Sequence, residues 1–200
     1  YSVNPYQGCE HGCSYCFARP THEFWGYSAG TDFERKIMIK KNAPELLEKF
    51  FQKRNYVPKT ITLSGNTDCY QPAEREFEIT RKLLQLCLDY RHPVSILTKN
   101  ALVLRDLDIL KPLSEQNLVS VSFSIPTINE EIRRKMEPRT SSVKNKLKAI
   151  EILSEHQIPV GVMVAPVIPG LTSDESLTIL KTVSEAGAQK FGYVLVRLND

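Results

Sequence analysis

The sequence lacks a long hydrophobic run, a marked excess of either charge and any low-complexity tract. Its longest uncharged apolar run, IPVGVMVAPVIPGL from Ile158, contains three prolines and is shorter than the roughly 20 residues that cross a bilayer. The net charge of +3 is too small to indicate nucleic-acid binding by itself. With 42% hydrophobic and 24% charged residues, the chain is expected to be globular, with no membrane partner.

Cysteine is sparse and unevenly placed. Three of the five cysteines, Cys9, Cys13 and Cys16, lie within eight residues, and the total is odd. Cys13 and Cys16 are too close in sequence for an ordinary structural disulfide. The clustering favours metal ligation over a disulfide framework, and a reducing cytoplasm is the expected location.

No linker divides the chain, which begins at Tyr1 without an initiator methionine and ends at Asp200. At this length one domain with a substantial core is expected. We therefore expect residues 1–200 to form a single core domain that is a segment of a longer chain.

Six short runs rich in Val, Ile and Leu indicate strands. They show no strict polar alternation, as expected for parallel strands covered on both faces. The runs are SVNPY from Ser2, TITLSG from Thr60, PVSILT from Pro93, LVSVSFS from Leu118, PVGVMVAP from Pro159 and FGYVLVRL from Phe191.

Helical patterns lie between these runs. Asn42, three residues before Glu45, resembles a capping box at the start of the first pattern. The last pattern starts at a Ser173 or Asp174 cap and ends before Gly187. The patterns are PELLEKFFQKR from Pro44, AEREFEITRKLLQLCLDYR from Ala73, SVKNKLKAIEILSE from Ser142 and SDESLTILKTVSEAGA from Ser173.

Six strands that alternate with five helical crossovers predict an α/β fold. Right-handed crossovers would curl the sheet into a partial or complete barrel. Residues 19–41 have neither period and are predicted to form a long loop after the first strand. Function in such barrels collects at the carboxyl ends of the strands. Five distinctive segments are expected there: the cysteine cluster, GNTDCYQP, TKN, SIPT and APVIPG.

The cysteine cluster has the spacing C-x3-C-x2-C. Iron–sulfur clusters are held by thiolates, and three cysteines on a four-iron cluster leave one iron open to another ligand. Two alternatives are a zinc site that adds His11, and a redox ferredoxin that recruits Cys69 as a fourth ligand. Alternating ligands at 9, 11 and 13 are unfavourable for tetrahedral zinc, so an open iron–sulfur site is the preferred hypothesis.

The same spacing, with Tyr15 directly before the last cysteine, resembles the signature of the radical S-adenosylmethionine (SAM) superfamily. The resemblance covers nearly the whole chain and implies a partial (β/α)6 barrel of the TIM type, the radical SAM core. Further segments resemble the spore photoproduct lyase-like branch, also described as DNA repair photolyase-like. They are GCEHGCSYCFAR, SGNTDCYQPAE, ILTKN, SFSIP, MEPRTSS and MVAPVIPG.

The resemblance implies a [4Fe–4S] cluster held by Cys9, Cys13 and Cys16, whose open iron binds SAM. One electron would then cleave SAM reductively to a 5′-deoxyadenosyl radical, which abstracts a hydrogen from the substrate. A partner such as flavodoxin or ferredoxin would donate the electron.

The resemblance also assigns contacts to the amino acid head of SAM. Thr67 and Asp68 follow the second strand, where the superfamily binds the ammonium group. Lys99 and Ser124 match positions that bind this head in the lyase branch, with Lys99 supplying a charge for the carboxylate.

Four other residues have open roles. Arg139 is expected either to add a bidentate carboxylate contact or to lie on the surface. The backbone at Tyr15 is expected beside adenine, with its ring against the cluster. Cys69 is a candidate hydrogen donor to a substrate radical or an inert thiol, and Cys87, on an apolar helix face, is predicted to be a core residue.

Two positions depart from spore photoproduct lyase. Gly65 stands where that family has a hydrogen-donating cysteine, and Phe17 stands where it has a tyrosine directly after the third cluster cysteine. Both departures fall on the hydrogen relay that completes repair. The resemblance therefore carries radical generation to this chain, but not thymine-dimer-type repair.

The substrate is not identified by these patterns. Damaged or modified nucleic acid is the leading hypothesis, because basic stretches begin at Arg35 and Arg133 and the aromatic residues Phe24, Trp25 and Tyr27 suit base stacking. Solvated surface and a hydrophobic cover over the cluster explain the same features. The alternatives are a radical SAM enzyme acting on a protein or small metabolite, and a zinc- or cluster-binding module without SAM chemistry.

Overall fold

The computed structural model describes residues 1–197. Within them a six-stranded parallel sheet has the order β1-β4-β5-β6-β7-β8, and β2 pairs with β3 in an antiparallel ribbon. This order confirms the α/β partial barrel. The strands are β1 (Ser2–Val3), β2 (Tyr6–Gln7), β3 (Met38–Ile39), β4 (Ile61–Leu63), β5 (Val94–Thr98), β6 (Val119–Ser124), β7 (Val160–Val167) and β8 (Lys190–Leu195). Leu198, the end of the sixth predicted strand, lies outside the described residues.

Helices connect successive strands of the main sheet. The α-helices of the described residues are α1 (Thr31–Arg35), α2 (Ala43–Phe51), α3 (Glu74–Phe77), α4 (Ile79–Asp89), α5 (Leu107–Glu115), α6 (Glu130–Met136), α7 (Val143–Glu155) and α8 (Ser176–Glu185). Short 3-10 helices span Arg19–Trp25, Ala101–Asp106 and Ser173–Glu175. None of the helices in residues 1–197 is long and apolar enough to cross a membrane.

The core lies between the sheet and the helices that cover its outer face. Leu63, Ile96, Val121 and Phe123 are fully buried there. In β5, buried residues alternate with half-buried ones, and the half-buried Leu97 lines a cavity on the inner face. The expectation that the strands are fully covered on both faces is therefore wrong for this inner face, which is partly open.

The first predicted strand is two strands that belong to different sheets. Pro5, between them, has no amide to donate to a ladder, and its carbonyl accepts a hydrogen bond from Lys40 N at 3.0 Å. Asn4 Oδ1 accepts one from Asn66 N at 2.8 Å. The chain thus leaves the main sheet after β1, and the cysteine segment follows β2.

Residues 19–41, predicted to form a loop, contain a 3-10 helix, α1 and β3. Phe33 of α1 is buried, and its carbonyl accepts a hydrogen bond from Cys9 N at 2.8 Å. These short elements are held against the cysteine segment by tertiary contacts. They have no sequence period of their own, which is why the pattern did not predict them.

The helix ends agree in part with the predictions. Asn42 is the N-cap residue of α2, but its side chain caps nothing, because its φ of −89° and ψ of 3° are not the extended conformation that capping requires. The predicted capping box with Glu45 is therefore wrong. The predicted cap at Ser173 or Asp174 is also wrong, because both residues lie in a 3-10 turn ahead of α8, whose N-cap residue is Glu175. Gly187 follows the end of α8 with φ +103°, as predicted.

Candidate active site

A cavity of about 360 Å³ opens at the carboxyl ends of the parallel strands. Thr98 and Ser124 are the last residues of β5 and β6, and both line the cavity, as does Pro166 of β7. The loop after β4 and the cysteine segment complete the wall. The predicted convergence of the five segments on one rim is thus seen in the structure, and the volume is in the range of ligand pockets.

Cys9, Cys13 and Cys16 all line this cavity. Cys9 and Cys13 are 8% exposed, and Cys16 is more open. Among residues 1–197, no three His, Cys, Asp or Glu side chains are grouped so as to hold a metal ion. The three thiols instead lie along the cavity wall, as donors to a larger group inside the cavity would.

Burial controls the chemistry of these thiols. It raises the pKa of Cys13 to about 12, with a further contribution from the Glu137 carboxylate. Burial also raises the pKa of Cys9 and of Cys16. Since metal ligands must be thiolates, these thiols would lose their protons on binding a metal centre.

The cysteine segment is held in place from several directions. Arg19 donates from Nε and Nη2 to the Cys13 carbonyl at 3.2 and 2.9 Å, and Ser14 N donates to the Met136 carbonyl at 2.9 Å. Gly12 has φ +67°, and a Cβ there would lie 2.2 Å from Arg139 Nη2. The turn between the first two cysteines therefore requires glycine.

Asp68 faces the cavity with its oxygens already engaged. It accepts hydrogen bonds from Thr98 Oγ1 at 2.8 Å and from the amides of Lys99 and Tyr70 at 2.7 and 2.8 Å. His11 Nδ1 lies 3.4 Å from Asp68 Oδ2, without hydrogen-bond geometry. Burial alone would raise the pKa of Asp68, but His11 and the amides hold it below its ordinary value.

Thr67 also lines the cavity, but its hydroxyl donates to the Tyr6 carbonyl at 2.6 Å. This bond ties the loop after β4 to β2, directly before the cysteine segment. Of the two residues predicted to bind an ammonium group, Asp68 supplies the negative charge and Thr67 fixes the backbone beside it.

Lys99 lies at the centre of a second group of polar residues. Its Nζ donates to Tyr15 Oη at 3.0 Å, to Ser124 Oγ at 2.6 Å and to Glu137 Oε1 at 2.6 Å. Tyr15 Oη in turn donates to Glu137, and Ser124 Oγ donates to the Ala165 carbonyl at 2.9 Å. The structure thus brings together three of the predicted residues, Tyr15, Lys99 and Ser124.

Glu137 and Lys146 are the polar residues of this group that the sequence reasoning missed. Lys146 Nζ donates to Glu137 Oε2 at 3.1 Å and to the Ser124 carbonyl at 3.2 Å. Burial would raise the pKa of Glu137, but Lys99 and Lys146 hold it well below its ordinary value. One signal was available: Lys146 lies three residues after Val143 and four before Ile150, on the apolar face of its helix.

Arg139 lies outside the cavity wall. Its guanidinium donates to the Glu10 carbonyl and to the Glu34 carboxylate, and its amide donates to the His11 carbonyl at 3.3 Å. These contacts hold the cysteine segment from outside. In this arrangement Arg139 does not face the cavity where a carboxylate of SAM would bind.

Cys69 and Cys87 are both fully buried in the hydrophobic core. The core position predicted for Cys87 is confirmed. Cys69 is not among the residues that line the cavity, so the arrangement does not favour a hydrogen-donor role. Gly65 and Phe17, the two departures from the lyase pattern, do line the cavity, and Phe17 is half exposed there.

Comparisons with known proteins agree with this geometry. A model of the radical SAM superfamily matches residues 3–183. An uncharacterized protein of Mycobacterium tuberculosis is 37% identical over 190 residues, which cover 94% of this chain and 56% of that protein. An uncharacterized protein of Methanocaldococcus jannaschii is 31% identical over 175 residues, which cover 88% of this chain and 63% of that protein. The chain thus spans a little over half the length of these relatives.

Two solved structures have the same fold. A spore photoproduct lyase variant with bound AdoMet and dinucleoside spore photoproduct superposes with a TM-score of 0.73 at 17% identity, over 100% of this chain and 57% of that chain. The Streptococcus suis protein SuiB bound to S-adenosylmethionine gives a TM-score of 0.64 at 12% identity, over 98% of this chain and 38% of that chain.

Proposed function

Because the chain belongs to the radical SAM superfamily, we propose that it is an enzyme that cleaves SAM reductively to start radical chemistry. Cys9, Cys13 and Cys16 would hold a [4Fe–4S] cluster, and the adjoining cavity would hold SAM. The observation that carries the proposal is that the three thiols and the Lys99–Ser124 pair line one cavity. When bound and reduced, the cluster would supply the one electron that cleaves SAM to methionine and a 5′-deoxyadenosyl radical.

The residues of the cavity would bind and orient the amino acid head of SAM. Asp68 offers a buried negative charge for the ammonium group, held in position by Thr98 and by backbone amides. Lys99 and the Ser124 hydroxyl offer donors for the carboxylate. Met163 and Pro166, on the strand next to β6, give the cavity an apolar surface that suits the rest of the ligand.

Modified or damaged nucleic acid is the substrate class that we propose. The sequence resemblance to the spore photoproduct lyase branch supports it, together with Phe24 and Trp25, which are exposed on the 3-10 helix that follows the cysteines and suit base stacking. A protein or small-metabolite substrate is the second candidate. It is favoured by Gly65 and Phe17, which replace the hydrogen-relay residues of the lyase. A small redox protein such as flavodoxin or ferredoxin is proposed as the electron donor.

Anaerobic reconstitution tests the chemistry. We expect about four irons per chain and formation of 5′-deoxyadenosine when dithionite and SAM are added. Cys13→Ala should abolish product formation, whereas the core variant Cys87→Ala should retain it. Stoichiometric zinc without iron uptake, or iron uptake without SAM cleavage, would favour the alternative of a metal-binding module without SAM chemistry.

The substrate proposal has its own experiment. SAM cleavage is measured with and without ultraviolet-irradiated DNA or tRNA, with undamaged DNA of the same sequence as the control. Faster cleavage with a damaged or modified nucleic acid is expected. Equal rates without nucleic acid and with each of the three nucleic acids would count against a nucleic-acid substrate.

A further inference from the structure

One buried lysine, Lys146, and one partly exposed lysine, Lys99, share one buried carboxylate beside the cavity. Lys99 Nζ lies 2.6 Å from Glu137 Oε1, and Lys146 Nζ lies 3.1 Å from Glu137 Oε2. The Glu137 side chain is fully buried, and that of Lys146 is 1% exposed. With both lysines protonated, this set of three carries a net charge of +1. Removing such a charge from water is costly unless a partner compensates it.

Of these three charged residues, Lys99 is the one that contacts the cavity. Lys99 lines the cavity, whereas neither Glu137 nor Lys146 does. The other partners of Lys99 Nζ are the neutral hydroxyl groups of Tyr15 and Ser124. Asp68 is a further buried carboxylate whose charge acts on Lys99, but its oxygens are engaged by three hydrogen bonds and it lies 3.4 Å from His11 Nδ1.

We propose that Lys146 is a positioning residue that sets the affinity of the cavity for a carboxylate group, through Glu137 and without touching the ligand. Because Lys146 compensates Glu137, the charge of Lys99 stays available for an anion. Without Lys146, Glu137 would neutralise Lys99, and the cavity would lose its net charge. The inference rests on the proposed function, since the carboxylate in question is that of the SAM head group.

The contacts of Lys99 indicate how the anion would be accommodated. An ammonium group has three donors, and all three are used. Glu137 stays bound by Lys146, so the partner that gives way is a hydroxyl group. The hydroxyl of Ser124 is itself a donor, at present to the Ala165 carbonyl, and can turn toward a carboxylate that replaces it at Lys99.

Equilibrium binding of SAM to the anaerobically reconstituted protein tests the proposal without relying on turnover. Lys146→Met should weaken SAM binding by roughly tenfold or more, the order expected for one charge acting over several ångströms in a protein. Binding of 5′-methylthioadenosine, which lacks the amino acid head, should not change. The cluster and Asp68 are the same in every variant, so the comparison isolates the charge of residue 146.

The double variant Glu137→Gln/Lys146→Met separates charge from structure. It removes one charge of each sign and leaves Lys99 with its positive charge, so SAM affinity should return to within a few fold of the wild-type value. Lys148→Met, an exposed lysine on the same helix, is the matched control for net charge and should bind normally.

Three results would overturn the proposal. They are wild-type SAM affinity in Lys146→Met, equal weakness in the single and double variants, and equal losses for SAM and 5′-methylthioadenosine. The double variant has no unpaired buried carboxylate and is expected to fold. If Lys146→Met proves too unstable to measure, loss of SAM binding in the double variant would itself contradict the proposal. Failure of the wild-type protein to bind SAM is a different outcome: it rejects the proposed function, and the inference falls with it.

Discussion

Asp68 and Cys69 are neighbours in sequence with opposite environments. Asp68 lines the cavity, whereas Cys69 is fully buried in the core. The backbone of Cys69 is fixed on both sides, since its amide donates to Ser64 Oγ and its carbonyl accepts from Thr80 Oγ1, each at 2.6 Å. The sequence indicated only that both residues follow a strand. The direction of each side chain depends on these two contacts, one of them with a helix eleven residues later.

Thiol alkylation distinguishes a core cysteine from a cysteine at the site. Burial raises the pKa of Cys69 well above its ordinary value, and alkylation needs an accessible thiolate. In reduced, cluster-free protein, we expect iodoacetamide to modify Cys16 at least about tenfold faster than Cys69, as followed by peptide mass spectrometry. In urea the two rates should converge. Equal modification rates of Cys16 and Cys69 in the native protein would show that Cys69 is accessible, and would support a role as hydrogen donor.

The helix pattern from Ala73 is a single stretch in the sequence but two helices in the structure. Glu78 breaks it with φ +51°, and the Glu74 carboxylate accepts hydrogen bonds from Thr80 N at 2.9 Å and Arg81 N at 3.2 Å. A buried side chain from the first helix thus caps the second. Periodicity predicted an apolar face that contains Cys87, and Cys87 is buried in the second helix. It did not predict the break, which depends on long-range partners such as Tyr6.

Glu74 is therefore expected to stabilise the fold strongly. It is fully buried, and Arg105 Nη2 lies 2.7 Å from its carboxylate. Glu74→Gln should lower the free energy of unfolding by about 2 kcal/mol, because the buried amide cannot replace the charge-assisted hydrogen bonds that the carboxylate accepts from Thr80 N and Arg81 N. Urea denaturation gives the measurement, and Glu76→Gln, an exposed residue of the same helix, should change it by less than about 0.5 kcal/mol. Equal effects of the two variants would show that the junction does not depend on this carboxylate.

The cavity is a property of the whole molecule, because strands far apart in sequence end at one rim. Parallel order made the rim predictable, since every strand of such a sheet presents its carboxyl end on the same side. Asp68, Lys99 and Ser124 could be placed there from the sequence for this reason. Glu137 and Lys146 could not, since neither follows a strand directly. Glu137 directly follows α6 and Lys146 lies on α7, and Glu137 joins Lys146 to Lys99 only through contacts between residues far apart in sequence.

The charges of Lys99, Glu137 and Lys146 predict how the free energy of unfolding depends on pH. The pKa of Glu137 is lower in the folded protein than its ordinary value of about 4.3, so the unfolded chain binds this proton more readily. Its contribution to stability is complete above that ordinary value and is lost as the pH falls below it. For cluster-free protein, we expect the free energy of unfolding to fall by about 2 kcal/mol more between pH 5 and pH 2 than in Glu137→Gln/Lys146→Met. Urea titrations at half-unit intervals supply the comparison, and parallel curves for the two proteins would mean that Glu137 is not held as a carboxylate by its lysines.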